Sequence, residues 1–217
     1  MKLEKILVVG DIHGKWNLLN DLIIKEKPNK IIQCGDFGFW PKIGNFSKIK
    51  NYNTEIYFCD GNHEDHNELK NLKNNEIKKN IFYMPRGSVL ELIEGRKILF
   101  IGGSNSTDKN VRMPYIDWFL EETISYKDLD KINFNDRPDI IISHTCPNEF
   151  MEYLELSNSY DDNDCSRKAL SYVLEIFKPK LWIFGHFHKF KEGIYQDTKW
   201  ICLNKIENQY SKYFVEI

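Results

Sequence analysis

Five short β-branched, apolar runs in this chain each stop abruptly on glycine and on side chains able to bind metal. They are Ile6–Val9 into Gly10-Asp11-Ile12-His13, Ile31–Cys34 into Gly35-Asp36, Ile56–Cys59 into Gly61-Asn62-His63-Glu64, Ile140–Ser143 into His144, and Leu181–Phe184 into Gly185-His186-Phe187-His188. Runs this short are poor helices but good buried strands, because a strand covered on both faces reads as unbroken apolar sequence. Five such strand ends deliver Asp11, Asp36 and Asn62 together with five imidazoles to one edge of a sheet, where open α/β sheets place their sites. Of the six histidines, His66 alone falls outside these strand ends.

The 217 residues fit one domain spanning 1–217, with a single core still able to serve a chain of this size. Apolar residues at 41% and charged residues at 29% describe a globular chain, neither disordered nor membrane-embedded. A net charge of −2 gives no general attraction to nucleic acid, which remains a conceivable partner only through a local basic patch. Cys34, Cys59, Cys146, Cys165 and Cys202 are odd in number and form no Cys-x-x-Cys pair, so neither a disulfide framework nor a thiolate zinc site is expected. A reducing, cytoplasmic setting fits. Ile6–Val9 is too short for a signal-peptide core, and no later run approaches a membrane span. Oligomeric state is not legible.

Around the strands, Lys15–Lys27 has the apolar spacing of an amphipathic helix that Pro28 stops, making a β-α-β unit with the following strand. His66–Lys79 reads as a polar surface helix. Ile81–Ile101 reads as a meander of short strands punctuated by Pro85-Arg86-Gly87 and Glu94-Gly95. Helices are expected around Trp118–Leu129 and Ser166–Phe177, and the last forty residues return to strand pattern. The expected fold class is α/β, with two mixed sheets packed together and helices outside.

Asp11, His13, Asp36, Asn62, His144, His186 and His188 offer only oxygen and imidazole donors, a set suited to Mn²⁺, with Fe or Zn²⁺ as alternatives. Seven ligands exceed the needs of one tetrahedral ion. Two divalent ions about 3.5–4 Å apart, sharing a carboxylate and a hydroxide, would use them all and leave positions for substrate oxygens. Such a pair suits in-line displacement at phosphorus without a protein nucleophile, and neither a P-loop nor a nucleophilic-serine motif is present.

The same motifs, in this order from Gly10 to His188, resemble the calcineurin-like metallophosphoesterase family. The resemblance implies a four-layer α/β/β/α sandwich. It also implies Asp11, His13 and His188 on one metal, Asn62, His144 and His186 on the other, Asp36 bridging both, and His63 beside the substrate as the catalytic residue that assists the leaving group. Many members carry a second acid where this chain has Phe39, so Glu64 and Asp60 become the candidates for orienting His63. Trp40-Pro41 and Cys59-Asp60 stand where the protein phosphatases of the superfamily place arginines, which argues against that activity. Ile101–Lys109 with Arg112 and Asp117–Glu122 is similar to a subgroup of small bacterial and phage phosphoesterases.

The expected function is therefore hydrolysis of small-molecule phosphodiesters or phosphomonoesters of nucleotide type by attack of metal-held hydroxide. A nuclease or nucleic-acid end phosphatase is the first alternative and a non-catalytic scaffold with this fold the second. Several residues carry plainer readings. His66 is expected to be solvated or capping, and Cys34 and Cys59 to pack in the core. Phe37, Phe39 and Trp40 either pack or stack on a base, with packing favoured. Arg86, Lys109 and Arg112 are candidates for a second phosphate. Asp161–Asp164 is expected to cap the following helix.

Overall fold

The computed structural model describes residues 4–44, 46–50, 53–156, 163–208 and 210–217. In chain order the elements are β1 (Ile6–Val9), α1 (Trp16–Glu26), β2 (Lys30–Gln33), β3 (Glu55–Phe58), α2 (His66–Lys70), β4 (Glu76–Lys78), β5 (Ile81–Tyr83), β6 (Val89–Glu91) and β7 (Lys97–Ile101). There follow α3 (Tyr126–Leu129), β8 (Ile140–Ser143), α4 (Asn148–Met151), α5 (Cys165–Phe177), β9 (Leu181–Phe184), β10 (Lys191–Tyr195), β11 (Thr198–Cys202) and β12 (Phe214–Glu216).

These strands form two six-stranded sheets, ordered β12-β1-β2-β3-β5-β4 and β10-β11-β9-β8-β7-β6. Each has a parallel centre and antiparallel edges. Alternation along the strands builds three apolar layers. Leu7, Val9, Ile31, Ile56 and Phe58 turn toward α1, whereas Ile6, Val8 and Ile32 turn inward to meet Ile98, Phe100, Ile142 and Ile183 of the second sheet. Ile141, Trp182, Phe184 and Trp200 face α5 through Leu170 and Val173. The central strands are thus buried on both faces, which is why they read as unbroken apolar runs. Each fully buried aliphatic side chain contributes about 1.5–3 kcal/mol. The result is the expected four-layer α/β/β/α arrangement.

Helix α1 ends where Lys27 adopts a left-handed φ of 49° and donates its N–H to Ile23 O, immediately before Pro28. At α5, Asp164 accepts from the N–H groups of Ser166 and Arg167, as expected of a cap, while Asp161 and Asp162 lie outside the described residues.

Three expectations need correction. The helix expected over His66–Lys79 is only the short α2, because Asn71 ends it and Ile77 is drawn into edge strand β4, packing on the first-sheet core. The region Trp118–Leu129 is not one helix but a 3₁₀ turn at Leu120–Glu122 followed by α3, whose start is fixed by Asp128 accepting from Ser125 N and Oγ. Ile81–Ile101 is not a meander either: β5 belongs to the first sheet and β6 and β7 to the second, so the chain changes sheets between Tyr83 and Val89. No helix among the described residues is long and apolar enough to cross a membrane.

Candidate metal centre

The C-terminal ends of β1, β2 and β3 in one sheet face those of β8 and β9 in the other, and all eight sequence-selected side chains meet there. Asp11 is fully buried; its Oδ1 accepts the backbone N–H of His186 at 3.0 Å. Its Oδ2, equally buried, has no hydrogen-bond partner, although His188 Nε2 lies 3.0 Å away. His13 Nε2 stands 3.0 Å from His188 Nε2 and 3.7 Å from both Asp11 Oδ2 and Asp36 Oδ2. One donor atom from each of Asp11, His13, Asp36 and His188 lies within 4.8 Å of the others.

A second group abuts this one. His144 Nε2 is 3.4 Å from the same Asp36 Oδ2 and 3.1 Å from Asn62 Oδ1, and its ring centroid lies 5.0 Å from that of His186. His144 Nδ1–H donates to Cys34 O at 2.8 Å, which fixes the ring so that Nε2 faces the cluster. Ser104 Oγ lies 3.1 Å from His186 Nε2.

Backbone geometry holds these groups together at a cost. His13, Asp36, His186 and His188 all have left-handed φ, between 47° and 67°. Each such residue costs about 1–2 kcal/mol, and clusters of them mark sites where surrounding structure enforces the geometry. Two glycines permit the close approach: a Cβ on Gly61 would overlap Asp36 Oδ1, and one on Gly185 would overlap Asp11 Oδ1.

The charges are mutually supporting. Burial opposes ionisation of Asp36, but the charge and hydrogen bond of the adjacent His144 lead the effects that outweigh it and hold the carboxyl well below the usual range. Burial, reinforced by the neighbouring His144, pushes His186 down to about 3, keeping it a neutral donor. Oxygen and imidazole donors, a buried Asp11 Oδ2 approached by the ring nitrogens of His13 and His188, and the absence of thiolates from the cluster fit divalent metal.

His63 is half-buried, its ring centroid 5.5 Å from that of His13. Neither residue expected to orient it does so. Glu64 accepts from the N–H groups of Gly38 and Gly61, stapling two loops, and Asp60 is paired with Arg86. The His63 backbone is held instead: its N–H donates to Asp36 Oδ1 at 2.8 Å and its carbonyl accepts from Trp40 Nε1 at 2.9 Å.

Other readings are overturned by burial. His66 is not solvated; it is 5% exposed, its Nε2 donates to Gly61 O at 3.1 Å, and its ring packs on Phe119. Arg86 is unavailable to a phosphate because it is buried between Asp60 and Asp128. Arg112 is likewise engaged, by Glu122, Ser106 and the carbonyl of Asn62, while Lys109 stays exposed. Phe37 and Phe39 follow the favoured reading: they are core residues, stacked or tilted on Phe58, and cannot meet a base. Trp40 is half-buried and lines a cavity of about 780 Å³ that opens beside His13 and His63 and runs past Lys15, Ile43 and Lys48. Cys34 and Cys59 pack in the core as expected.

The chain matches the calcineurin-like phosphoesterase family over residues 4–190. It belongs to that family. As a calcineurin-like phosphoesterase it is a metal-dependent enzyme of phosphate esters, and the cluster of Asp11, His13, Asp36 and His188 has the donors to hold a divalent ion. No curated protein matches it significantly. Among solved structures, its fold is similar to phosphopantetheinyl hydrolase from Mycobacterium tuberculosis, with TM-score 0.62 and 12% identity over 100% of this chain and 97% of that one. It is also similar to TT1561 of Thermus thermophilus, with TM-score 0.61 and 12% identity over 94% and 91%. A dimetal phosphatase from Danio rerio gives TM-score 0.58 and 14% identity over 98% and 91%.

Proposed function

We propose that this phosphoesterase is dinuclear and hydrolyses small-molecule phosphodiesters or phosphomonoesters of nucleotide type. Asp11, His13 and His188 would hold one divalent ion and Asn62, His144 and His186 the other, with Asp36 placed to serve both. The observation that carries the reading is Asp36 Oδ2 itself, 3.7 Å from His13 Nε2 and 3.4 Å from His144 Nε2, so that one carboxylate oxygen faces both ligand groups. Manganese is the first candidate, since the donor set is hard and imidazole-rich. A divalent pair supplies Lewis-acid stabilisation of phosphoryl charge and a water nucleophile at neutral pH.

His63 assists the leaving group. Burial lowers its pKa, Asp36 opposes that effect and Arg112 adds to it, so the resting imidazole is neutral and offers one N–H to a phosphoryl oxygen. An anionic ester beside the ring favours the imidazolium and raises its pKa toward that of a proton donor. The ester's remaining group occupies the cavity along Trp40, whose volume of about 780 Å³ suits a small molecule. Among the described residues only Lys15 and Lys48 bring lysine or arginine charge to that wall, and Lys15 is already paired with Glu207 at 2.9 Å, which disfavours a nucleic-acid track. An intact ligand set with His63 in place gives no support to a scaffold role. Two proteins of similar fold, a dimetal phosphatase and a phosphopantetheinyl hydrolase, agree with the reading. The described cysteines are all free thiols, in keeping with a reducing cytoplasm, and one domain spanning 1–217 accounts for the shared core.

The test is Mn²⁺-supported hydrolysis of bis-p-nitrophenyl phosphate against p-nitrophenyl phosphate, with a chelated control. Chelator-sensitive turnover is expected, and its ester preference separates phosphodiesterase from phosphatase. No turnover of either ester with metal bound would bring the scaffold reading forward.

A further inference from the structure

Asn62 enters the centre as a carboxamide, whose ends are chemically unlike: the oxygen can bind a cation and the amino group cannot. Its orientation must therefore be set by something outside the metal centre. Asn62 Oδ1 faces His144 Nε2 at 3.1 Å, while Nδ2 donates to Ser106 Oγ at 3.0 Å. Ser106 is 1% exposed and its hydroxyl is fully committed, since it donates its proton to Glu122 Oε2 and accepts from Arg112 Nη1 at 2.7 Å as well as from Asn62. With that proton spent on Glu122, Ser106 can take the amino end of Asn62 but has nothing to offer the oxygen. A flipped amide would face a lone pair with a lone pair.

The partners of Ser106 are themselves fixed. Arg112 Nη2 donates to Glu122 Oε1 at 2.8 Å and to the Asn62 carbonyl at 3.0 Å, so the same guanidinium grips both the residue being oriented and the acid that orients it. The Arg112 and Glu122 side chains are 7% and 1% exposed, and Phe119 N–H also donates to Glu122 Oε1. This arrangement gives the Gly102–Glu122 segment a task that the ligand set alone does not explain.

We propose that Ser106, held by the Arg112–Glu122 pair, is a positioning residue that orients the Asn62 amide so that its oxygen faces the second metal. This rests on the reading above that Asn62, His144 and His186 surround that ion.

The test is calorimetric titration of metal-stripped protein with Mn²⁺, paired with electron paramagnetic resonance at one and two equivalents. Wild type is expected to take two ions and show an exchange-coupled spectrum. Ser106→Ala should bind one ion with wild-type affinity and the other about 10- to 100-fold more weakly, the range for losing an outer partner of a ligand. Ser106→Cys keeps the volume but weakens the acceptor, and reads the same loss if the alanine variant does not fold. In an Asn62→Asp background both terminal atoms are oxygen and orientation ceases to matter, so adding Ser106→Ala should change second-ion affinity by less than about twofold. Wild-type affinity for both ions in Ser106→Ala, equal weakening of both, or the same loss in the Asn62→Asp background each overturns the proposal. If wild type binds only one Mn²⁺ the dinuclear reading itself fails, and if Asn62→Ala keeps both ions at full affinity Asn62 is no ligand; either result takes the proposal with it.

Discussion

Asp36 Oδ1 accepts the backbone N–H of His63 at 2.8 Å, so the carboxylate at the middle of the metal centre also fixes the peptide that carries the substrate-side imidazole. The proposed metal binding and the proposed leaving-group assistance are thereby tied to one side chain. Asp36→Asn separates the two. Asparagine tolerates the left-handed φ of 54° and keeps an acceptor for His63, so the fold should survive while the bridging charge is lost. Metal content should fall from two ions per chain and kcat by on the order of 10²–10³ or more, with an unchanged circular dichroism spectrum. Near-normal turnover in this variant would sink the bridged two-metal mechanism.

His63→Ala should act differently. It leaves the peptide N–H on Asp36 intact and removes no proposed ligand, so elemental analysis should find wild-type metal content. Rates on alkyl esters, whose leaving groups need a proton, should fall by about 10²–10⁴, and rates on nitrophenyl esters much less. An equal loss on both classes would show that His63 steadies the phosphoryl group without protonating the leaving oxygen.

Arg86 is a test of structure against recognition. Its guanidinium bonds Asp60 and Asp128 and the carbonyls of Glu121, Glu122 and Thr123. Arg86→Met strands the buried Asp60 carboxylate, which that cation holds below its ordinary pKa against the effect of burial. Breaking such a buried pair costs about 3–5 kcal/mol. Urea unfolding should register this loss, and KM of the protein that remains folded should not change. A raised KM with stability unaltered would return Arg86 to the candidate phosphate contacts.

The strands and the convergence of the candidate ligands were legible because both rest on short-range pattern. The Ile140–Ile142 stretch of β8, buried on both faces, has no polar position to disguise it, and His144 follows directly after Ser143, the strand's last residue. What orients the ligands was not legible, because those contacts join distant parts of the chain. Ser106 lies 44 residues from Asn62, and nothing near either marks the pairing. The burial of His66 is hidden because its neighbours Asn67, Glu68 and Lys70 are polar, whereas the side chain that covers it, Phe119, arrives from the loop before the 3₁₀ turn at Leu120. Strand β4 is hidden in the same way, its Glu76 and Lys78 suggesting a solvated helix until Ile77 finds the sheet edge. Arg86 and Arg112 look free in the sequence because their acidic partners, Asp60 and Asp128 for one and Glu122 for the other, are set by tertiary packing.

The burial of His66 has a consequence for stability against pH. Burial is the main cause that pushes its pKa from 6.5 down to about 4; Asp60 opposes the shift and Arg86 adds to it. Between those two values the unfolded chain carries a proton on His66 and the native chain does not. The unfolded state then binds more protons, so the contribution is whole above about pH 6.5 and is lost as pH falls toward 4. At 1.36 kcal/mol per pH unit the window is worth roughly 3 kcal/mol. His66→Gln keeps a donor for the Gly61 carbonyl and has no charge to gain, so comparing the two proteins cancels the other titrating groups. In metal-stripped protein unfolded by urea, wild type should lose stability relative to His66→Gln by this amount between pH 7 and 4. A difference that stays constant across that range would mean that His66 takes up its proton in the folded state, and that the Gly61–His63 loop is open to water.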